Sequence, residues 1–151
     1  MYYKLLYLGF KIYCFIFRPI RMGVRVMMVQ DEKVWLVKHT YLPGWFLPGG
    51  GLKKWESLDQ AARREAREET GADLGEMTFI GVFTSNLQWK TDHTAVFLCK
   101  DFNFIGTSDA EIAELREFRL DELPEETYHL HRRLLENYSK GILLTNVGQW
   151  Q

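Results

Sequence analysis

One stretch, GGLKKWESLDQAARREAREETGA at residues 50–72, constrains this chain more than any other. Its ends specify a helix, and its charges must then be accounted for on that helix. Ser57 and Gln60 form an S-x-x-Q capping box, and Gly71 stands where a left-handed C-terminal cap is wanted. The spacing therefore predicts a helix of about 13 residues from Leu58 to Thr70. Glu65, Glu68 and Glu69 fall on it at i, i+3 and i+4, with Cβ atoms about 5–6 Å apart. Carboxylates so placed can share a hard cation through oxygen ligands. The plainer alternative is a solvated helix laced with ion pairs, but within the run RREAREE the spacing argues against it. At i,i+4 only Arg64 with Glu68 is attractive, whereas Arg63 with Arg67 and Glu65 with Glu69 repel. At i,i+3, Arg64 with Arg67 and Glu65 with Glu68 repel as well.

The wider register is Gly50, five residues, Glu56, seven residues, Arg64-Glu65-Ala66, one residue, Glu68-Glu69, one residue, Gly71-Ala72. This pattern resembles the Nudix box, the signature of Mg²⁺-dependent pyrophosphohydrolases, with every polar and glycine position filled. The resemblance implies an α/β fold, an α/β/α sandwich with a mixed β-sheet, and a hydrolase acting on phosphoanhydride bonds with Mg²⁺ as cofactor or Mn²⁺ in its place. It implies that Glu65, Glu68 and Glu69 carry the metal, Glu68 or Glu69 most densely, with Glu65 also a candidate general base. The backbone carbonyl of Gly49 is implied as a further oxygen ligand. Glu111, in a loop ahead of the last strand, is implied as another carboxylate, with Glu114 its rival and a solvated loop acid the plainer alternative. Arg64 is expected to orient a neighbouring carboxylate such as Glu68 or Glu56.

Around the box, Pro48-Gly49-Gly50-Gly51 suits a backbone that must approach a metal-bound diphosphate closely, although a tight turn would need the same residues. Gly50 and Gly51 are thus candidate substrate contacts. Lys38 and His39, ending a strand, are candidate phosphate contacts, or simply an exposed strand end. His93 is a candidate base or phosphate contact, or a structural hydrogen-bonding residue. Tyr41, Trp45, Phe46 and Trp89 border the site in sequence and could stack on a nucleobase or pack in the core.

Elsewhere, MGVRVMMVQ (22–30) and KVWLVKH (33–39) read as a hairpin across Asp31-Glu32. MTFIGVFTS (77–85), HTAVFLCKDF (93–102) and LREFRL (115–120) read as further strands, and residues 125–139 as a closing helix with Leu130, Leu134 and Tyr138 inward. Strands on both sides of a central helix, with a second helix at the end, give an α/β sandwich with a mixed sheet. At 151 residues, residues 20–151 suffice for one domain with a full core. A net charge of −1 gives no global pull toward nucleic acid, and no DNA partner is expected. Cys14 and Cys99 lack metal-type spacing and read as buried reduced thiols, which suits a cytoplasmic protein.

Residues 1–19 are a separate problem. YYKLLYLGFKIYCFIF is apolar nearly all round, with Lys4, Lys11 and Arg18 recurring every seven residues, and residues 1–30 contain no acid. It is too short and too interrupted to span a bilayer and lacks a signal-peptidase site. It is expected to pack on its own domain or on a homodimer partner, to lie as a helix (residues 1–17) in a membrane interface, or to form an extended edge strand.

The function expected from these features is Mg²⁺-dependent cleavage of the phosphoanhydride bond in a nucleoside diphosphate linked to another moiety. A catalytically idle nucleotide sensor on the same scaffold is the first alternative, although such proteins usually lose acids from the box and none is lost here. RNA 5′-end pyrophosphohydrolysis is the second, although the chain shows no basic, aromatic-interleaved RNA surface.

Overall fold

The computed structural model describes residues 2–87, 89–142 and 148–149, with side chains for 5–87 and 89–142. Helix α1 (Tyr2–Phe17) leads into a long strand, β1 (Ile20–Gln30), which turns back as β2 (Lys33–His39). Helix α2 (Leu58–Thr70) follows, then β3 (Ala72–Leu74), β4 (Met77–Ser85), β5 (Thr91–Cys99), β6 (Phe102–Phe104), β7 (Ile112–Arg119), α3 (His129–Ser139) and the short β8 (Gly148–Gln149). Six strands form one sheet in the order β7-β2-β1-β5-β4-β8, while β3 and β6 make a separate ribbon. β1 runs parallel to β5 and β4 parallel to β8; the other pairings are antiparallel, so the sheet is mixed.

The alternation of β1 explains the sandwich. Val24, Val26 and Met28 pack with Ala61, Ala62 and Ala66 of α2 on one face. Met27 and Val29 pack with Leu134 and Leu135 of α3 on the other. A strand buried on both faces reads as a continuous apolar run, which is how MGVRVMMVQ is composed apart from Arg25. Asp31 and Glu32 both adopt left-handed backbone angles, φ 47° and 59°, as a two-residue hairpin turn twisted to match its strands requires. The capping box forms as expected, with the Ser57 hydroxyl accepting from Gln60 N–H and the Gln60 side chain accepting from Ser57 N–H, and Gly71 closes α2 at φ 71°.

Several boundaries differ from the sequence expectation. The closing helix begins at His129 rather than 125, because Thr127 turns back onto the Pro124 carbonyl and Trp45 N–H bonds to Glu126 O at 3.0 Å. The strand expected over 93–102 is two, since the chain leaves the sheet after Cys99 and Phe102–Phe104 pairs with β3 instead. The last large strand starts at Ile112, three residues earlier than expected.

The N-terminal segment is a helix, not an edge strand. One stripe packs on the domain, with Cys14 only 1% exposed and Tyr7 5.9 Å from the Tyr41 ring. The opposite face, Leu5, Leu8, Ile12 and Ile16, is open, at 70% exposure for Leu5 and 62% for Ile16. The Lys4 side chain, and residues 143–147 and 150–151 of the tail, lie outside the described residues.

Candidate active site

Where β2 diverges from β1, the glycine loop takes its place against the strand. Val26 N–H bonds to Pro48 O and Val24 N–H to Gly50 O, both at 2.9 Å, and Leu52 N–H reaches Met22 O at 3.3 Å. This packing gives the glycines a reason beyond any ligand. A Cβ on Gly49 would sit 2.2 Å from the Val24 carbonyl oxygen, and its φ of 141° strains any other residue. A Cβ on Gly50 would lie 2.7 Å from both carboxylate oxygens of Glu65, so the bare Cα of Gly50 leaves the space in which that carboxylate rests.

Arg64 is the hub of α2. Its Nε and Nη2 donate to the two oxygens of Glu56 at 2.7 and 2.8 Å, Nη2 also to Gly51 O at 3.0 Å, and Nη1 to Glu65 at 2.7 Å and Glu68 at 2.9 Å. Glu56 is additionally bonded by Lys53 N–H, and Glu68 by Lys53 Nζ at 3.2 Å. The hydrogen bonds from Arg64 hold the Glu56 carboxyl down at about 2 and push the Arg64 guanidinium upward in turn. The repulsions counted within RREAREE are relieved by partners outside the run. Arg63 bonds Asp59 and the Leu74 carbonyl, and Arg67 pairs with Asp73.

Glu69 points the other way. Its Oε2 accepts from Gly49 N–H at 2.8 Å, and burial pushes its carboxyl up to about 7, helped by the charges of Glu65 and Glu111 and opposed by Arg25. His39 Nε2 lies 3.7 Å from Glu69 Oε1. That contact is no ion pair at neutral pH, because burial and then Arg25 lower the His39 imidazole to about 4. The buried Nδ1 of His39 has no hydrogen-bond partner among the described residues. Lys38 and His39 are successive residues of β2 and so belong to opposite faces of the strand, and the β2–β7 register shifts between them. Glu111 is delivered by its backbone, since Thr40 N–H bonds Glu111 O at 2.9 Å while Asp109 N–H bonds Glu68 O at 2.8 Å.

A cleft of about 830 Å³ gathers Gly49, Gly50, Gly51, Glu65, Glu69, Glu111, His39, Tyr41 and Phe46. Other expected residues lie elsewhere. Lys38 pairs with Glu126 at 3.4 Å. Trp45 is 5% exposed and packs edge-on against Phe118 in the core. Trp89 borders a separate depression with Arg18 and Asn86. Glu56, Arg64 and Glu68 are not among the residues that line the cleft, Glu114 pairs with Arg116, and His93 bonds Thr84 Oγ1 at 2.9 Å within the sheet.

Arg25, His131, Arg21 and the α1 residues Tyr7, Phe10 and Lys11 also line the cleft, and sequence reasoning did not assign them to it. Arg25 donates Nη1 to Leu47 O at 3.0 Å and to Gly49 O, the carbonyl expected as a metal ligand. His131, kept neutral by burial, accepts from Leu47 N–H at 3.0 Å. Arg25 had a readable signal as the one charge inside the apolar run MGVRVMMVQ.

As they stand, no three His, Cys, Asp or Glu side chains among the described residues surround a common point for a metal ion. The expected trio is divided, with Glu65 and Glu68 drawn to Arg64 and Glu69 to Gly49 N–H. The donor chemistry nonetheless fits a hard divalent cation. Glu65, Glu69, Glu111 and the Gly49 carbonyl offer only oxygen to one cleft.

Comparison with known proteins agrees with this architecture. The RNA pyrophosphohydrolase of Xanthomonas oryzae pv. oryzae is 34% identical over 80 residues, covering 53% of this chain and 38% of that protein. The ADP-ribose pyrophosphatase of Methanocaldococcus jannaschii is 28% identical over 116 residues, covering 74% and 68% respectively. Among solved structures, the MutT NUDIX hydrolase of Burkholderia pseudomallei has a TM-score of 0.69 at 28% identity, covering 78% of this chain and 96% of that one. The chain spans 39% and 38% of the length of two curated relatives that it matches. A family model, the NUDIX domain, matches residues 19–138, and the chain belongs to that family.

Proposed function

We propose that this protein is a Mg²⁺-dependent pyrophosphohydrolase that cleaves the phosphoanhydride bond of a nucleoside diphosphate linked to another moiety. One observation carries this: Glu65, Glu69 and Glu111 meet the Gly49–Gly51 backbone in a single cleft of about 830 Å³. These groups would hold the metal, joined by Glu68 once it exchanges Arg64 and Lys53 for the cation. Bound there, a divalent cation supplies charge neutralisation on the phosphoryl oxygens and an acidified water. Glu65, whose carboxylate rests against the bare Cα of Gly50, would take the proton of the attacking water. Arg64 and Glu56 position the carboxylates, while Tyr41 and Phe46 give the base of a nucleotide aromatic surface to lie on. The two named relatives act on quite different molecules, RNA and ADP-ribose; what they share is a phosphoanhydride bonded to a nucleoside.

The test is hydrolysis of nucleotide sugars, dinucleoside polyphosphates, nucleoside triphosphates and 5′-triphosphate RNA, with Mg²⁺ or with EDTA. Turnover with Mg²⁺, abolished by EDTA and reduced at least about a hundredfold in Glu69→Gln, is expected. Nucleotide binding without Mg²⁺-dependent turnover of any substrate would show an idle sensor instead.

We assign the outer face of α1 to an anionic membrane surface. No helix among the described residues is long and apolar enough to cross a membrane. Leu5, Leu8, Ile12 and Ile16 form an uncharged exposed face, and residues 1–30 carry Lys4, Lys11, Arg18, Arg21 and Arg25 with no acid. Co-sedimentation with anionic but not zwitterionic vesicles, lost in Leu8→Glu/Ile12→Glu, is expected. A homodimer mass by light scattering, abolished by the same pair of substitutions, would show a second copy on that face instead.

A further inference from the structure

The Gly49 carbonyl is held differently from its neighbours. Along β1, Pro48 O and Gly50 O accept from the main-chain N–H groups of Val26 and Val24, both at 2.9 Å, and Gly51 O accepts from Arg64 Nη2. Between them, Gly49 O accepts only from a side chain among the described residues, Arg25 Nη1, which also bonds Leu47 O at 3.0 Å. Three carboxylates line the same cleft, Glu65, Glu69 and Glu111, yet Arg25 pairs with none of them. Its Nε and Nη2 likewise form no hydrogen bond among the described residues. The other cations of the cleft are placed elsewhere. Lys90 pairs with Asp92, while Lys11 lies over the Tyr7 ring and Arg21 over that of Phe10. Among the described residues, Arg25 is thus the one lining cation bonded to a group of the expected metal donor set.

That position sets two roles against each other. A carbonyl oxygen has lone pairs for two partners, but two cations on one oxygen repel, the more so where water is partly excluded. A divalent cation held by Glu65, Glu69 and Glu111 is anchored by several ligands, whereas the guanidinium sits on a flexible stem and is the partner that can move. Released from Gly49, its fork, with Nε and Nη2 already uncommitted, suits the paired oxygens of a phosphate. Resting on the pyrophosphohydrolase function proposed above, we infer that Arg25 and the divalent cation are alternative partners of the Gly49 carbonyl, so that Arg25, displaced on metal binding, becomes a phosphate-binding residue. Metal and nucleotide are then coupled through one side chain. Loss of Arg25 acts on them in opposite senses, removing a competitor of the metal and a contact of the phosphate.

The test measures binding rather than turnover. Calorimetry of Mg²⁺ into the full chain stripped of metal, without nucleotide, should give an affinity about fivefold or more tighter in Arg25→Met than in wild type. A residue that merely braces the loop would act in the opposite sense, so unchanged or weaker Mg²⁺ binding in Arg25→Met would overturn the exchange. With saturating Mg²⁺, an α,β-methylene nucleoside diphosphate should bind about tenfold or more weakly in Arg25→Met, and equal binding would overturn the phosphate contact. Arg25→Lys keeps the charge and loses the fork. Its Mg²⁺ affinity should stay near that of wild type while the analogue binds more weakly; Mg²⁺ binding as tight as in Arg25→Met would overturn competition by charge. Should Arg25→Met fail to fold, wild-type crystals grown with Mg²⁺ decide the matter. A cation on Gly49 O with Arg25 Nη1 moved away is expected, and a guanidinium still bonded to Gly49 O beside the ion would overturn the exchange. Mg²⁺-dependent hydrolysis without the exchange would remove the role of Arg25 alone, whereas the exchange without hydrolysis of any substrate would remove the hydrolase function alone.

Discussion

Glu69→Gln should stabilise the metal-free protein at alkaline pH while removing its activity. The Glu69 carboxyl is raised from an ordinary 4.5 to about 7, chiefly by burial. A raised carboxyl favours the folded state at low pH, where it is neutral in both states. That advantage is lost as pH rises from the unfolded value through the folded one. The full shift corresponds to about 3 kcal/mol, of which about 2–3 kcal/mol develops between pH 5 and 8. His39 works in the opposite sense. Lowered to about 4, it adds stability as pH climbs from there to its ordinary 6.5, so the two groups offset each other in the wild-type curve. Because burial and Arg25 set the His39 value, the difference between Glu69→Gln and wild type removes most of the His39 contribution and leaves chiefly that of Glu69. The glutamine amide keeps an oxygen to accept from Gly49 N–H, so the cap of the glycine loop survives the substitution. Urea unfolding in EDTA at pH 5 and pH 8 should show the variant gaining about 2–3 kcal/mol on wild type, or about 5–10 °C in Tm for a chain of this size. With Mg²⁺ the gain should shrink, because wild type alone recovers stability by binding the ion. A difference that does not change with pH in EDTA would refute the burial of a near-neutral carboxyl at this position.

Adjacent glycines should separate packing from chemistry. Gly49→Ala drives a methyl into the Val24 backbone and should cost about 2–3 kcal/mol in urea unfolding, whereas Gly50→Ala meets only the movable Glu65 carboxylate and should cost about 1 kcal/mol or less yet lower kcat at least about tenfold. Arg64→Lys keeps the charge but loses the fork on Glu56 and the bond to Gly51, and kcat should fall about ten- to a hundredfold with KM little changed; a KM effect alone would move Arg64 from positioning to substrate binding. Titrating Mg²⁺ into the EDTA-treated protein should raise Tm, and a Glu111→Gln variant should need about tenfold more Mg²⁺ for the same shift; an unchanged titration would remove Glu111 from the metal donors.

Local chemistry made α2 legible to the residue. Ser57, Gln60 and Gly71 act on their own backbone within one turn, and no distant contact competes with them. The alternating and continuous apolar runs likewise located β1, β2, β4 and most of β5, because burial on one or both faces is written in the period of the side chains. Boundaries set by contacts between distant segments were not legible. Residues 125–128 stay out of α3 because Trp45 claims the Glu126 carbonyl, and Phe102–Phe104 leaves the sheet because β3 offers it a partner.

The division runs through the site as well. From residue order alone, the acids of one helix, the glycines before it and the family they resemble could be known, since all lie within a single contiguous segment. Which acids face the cleft, and that Lys11, Arg21 and Arg25 face it too while Trp45 and Trp89 do not, depended on packing between segments far apart in the chain. Capping and periodicity are local energies that a short stretch carries with it; a cleft exists only where separate elements meet, and its charge belongs to their meeting rather than to any one of them.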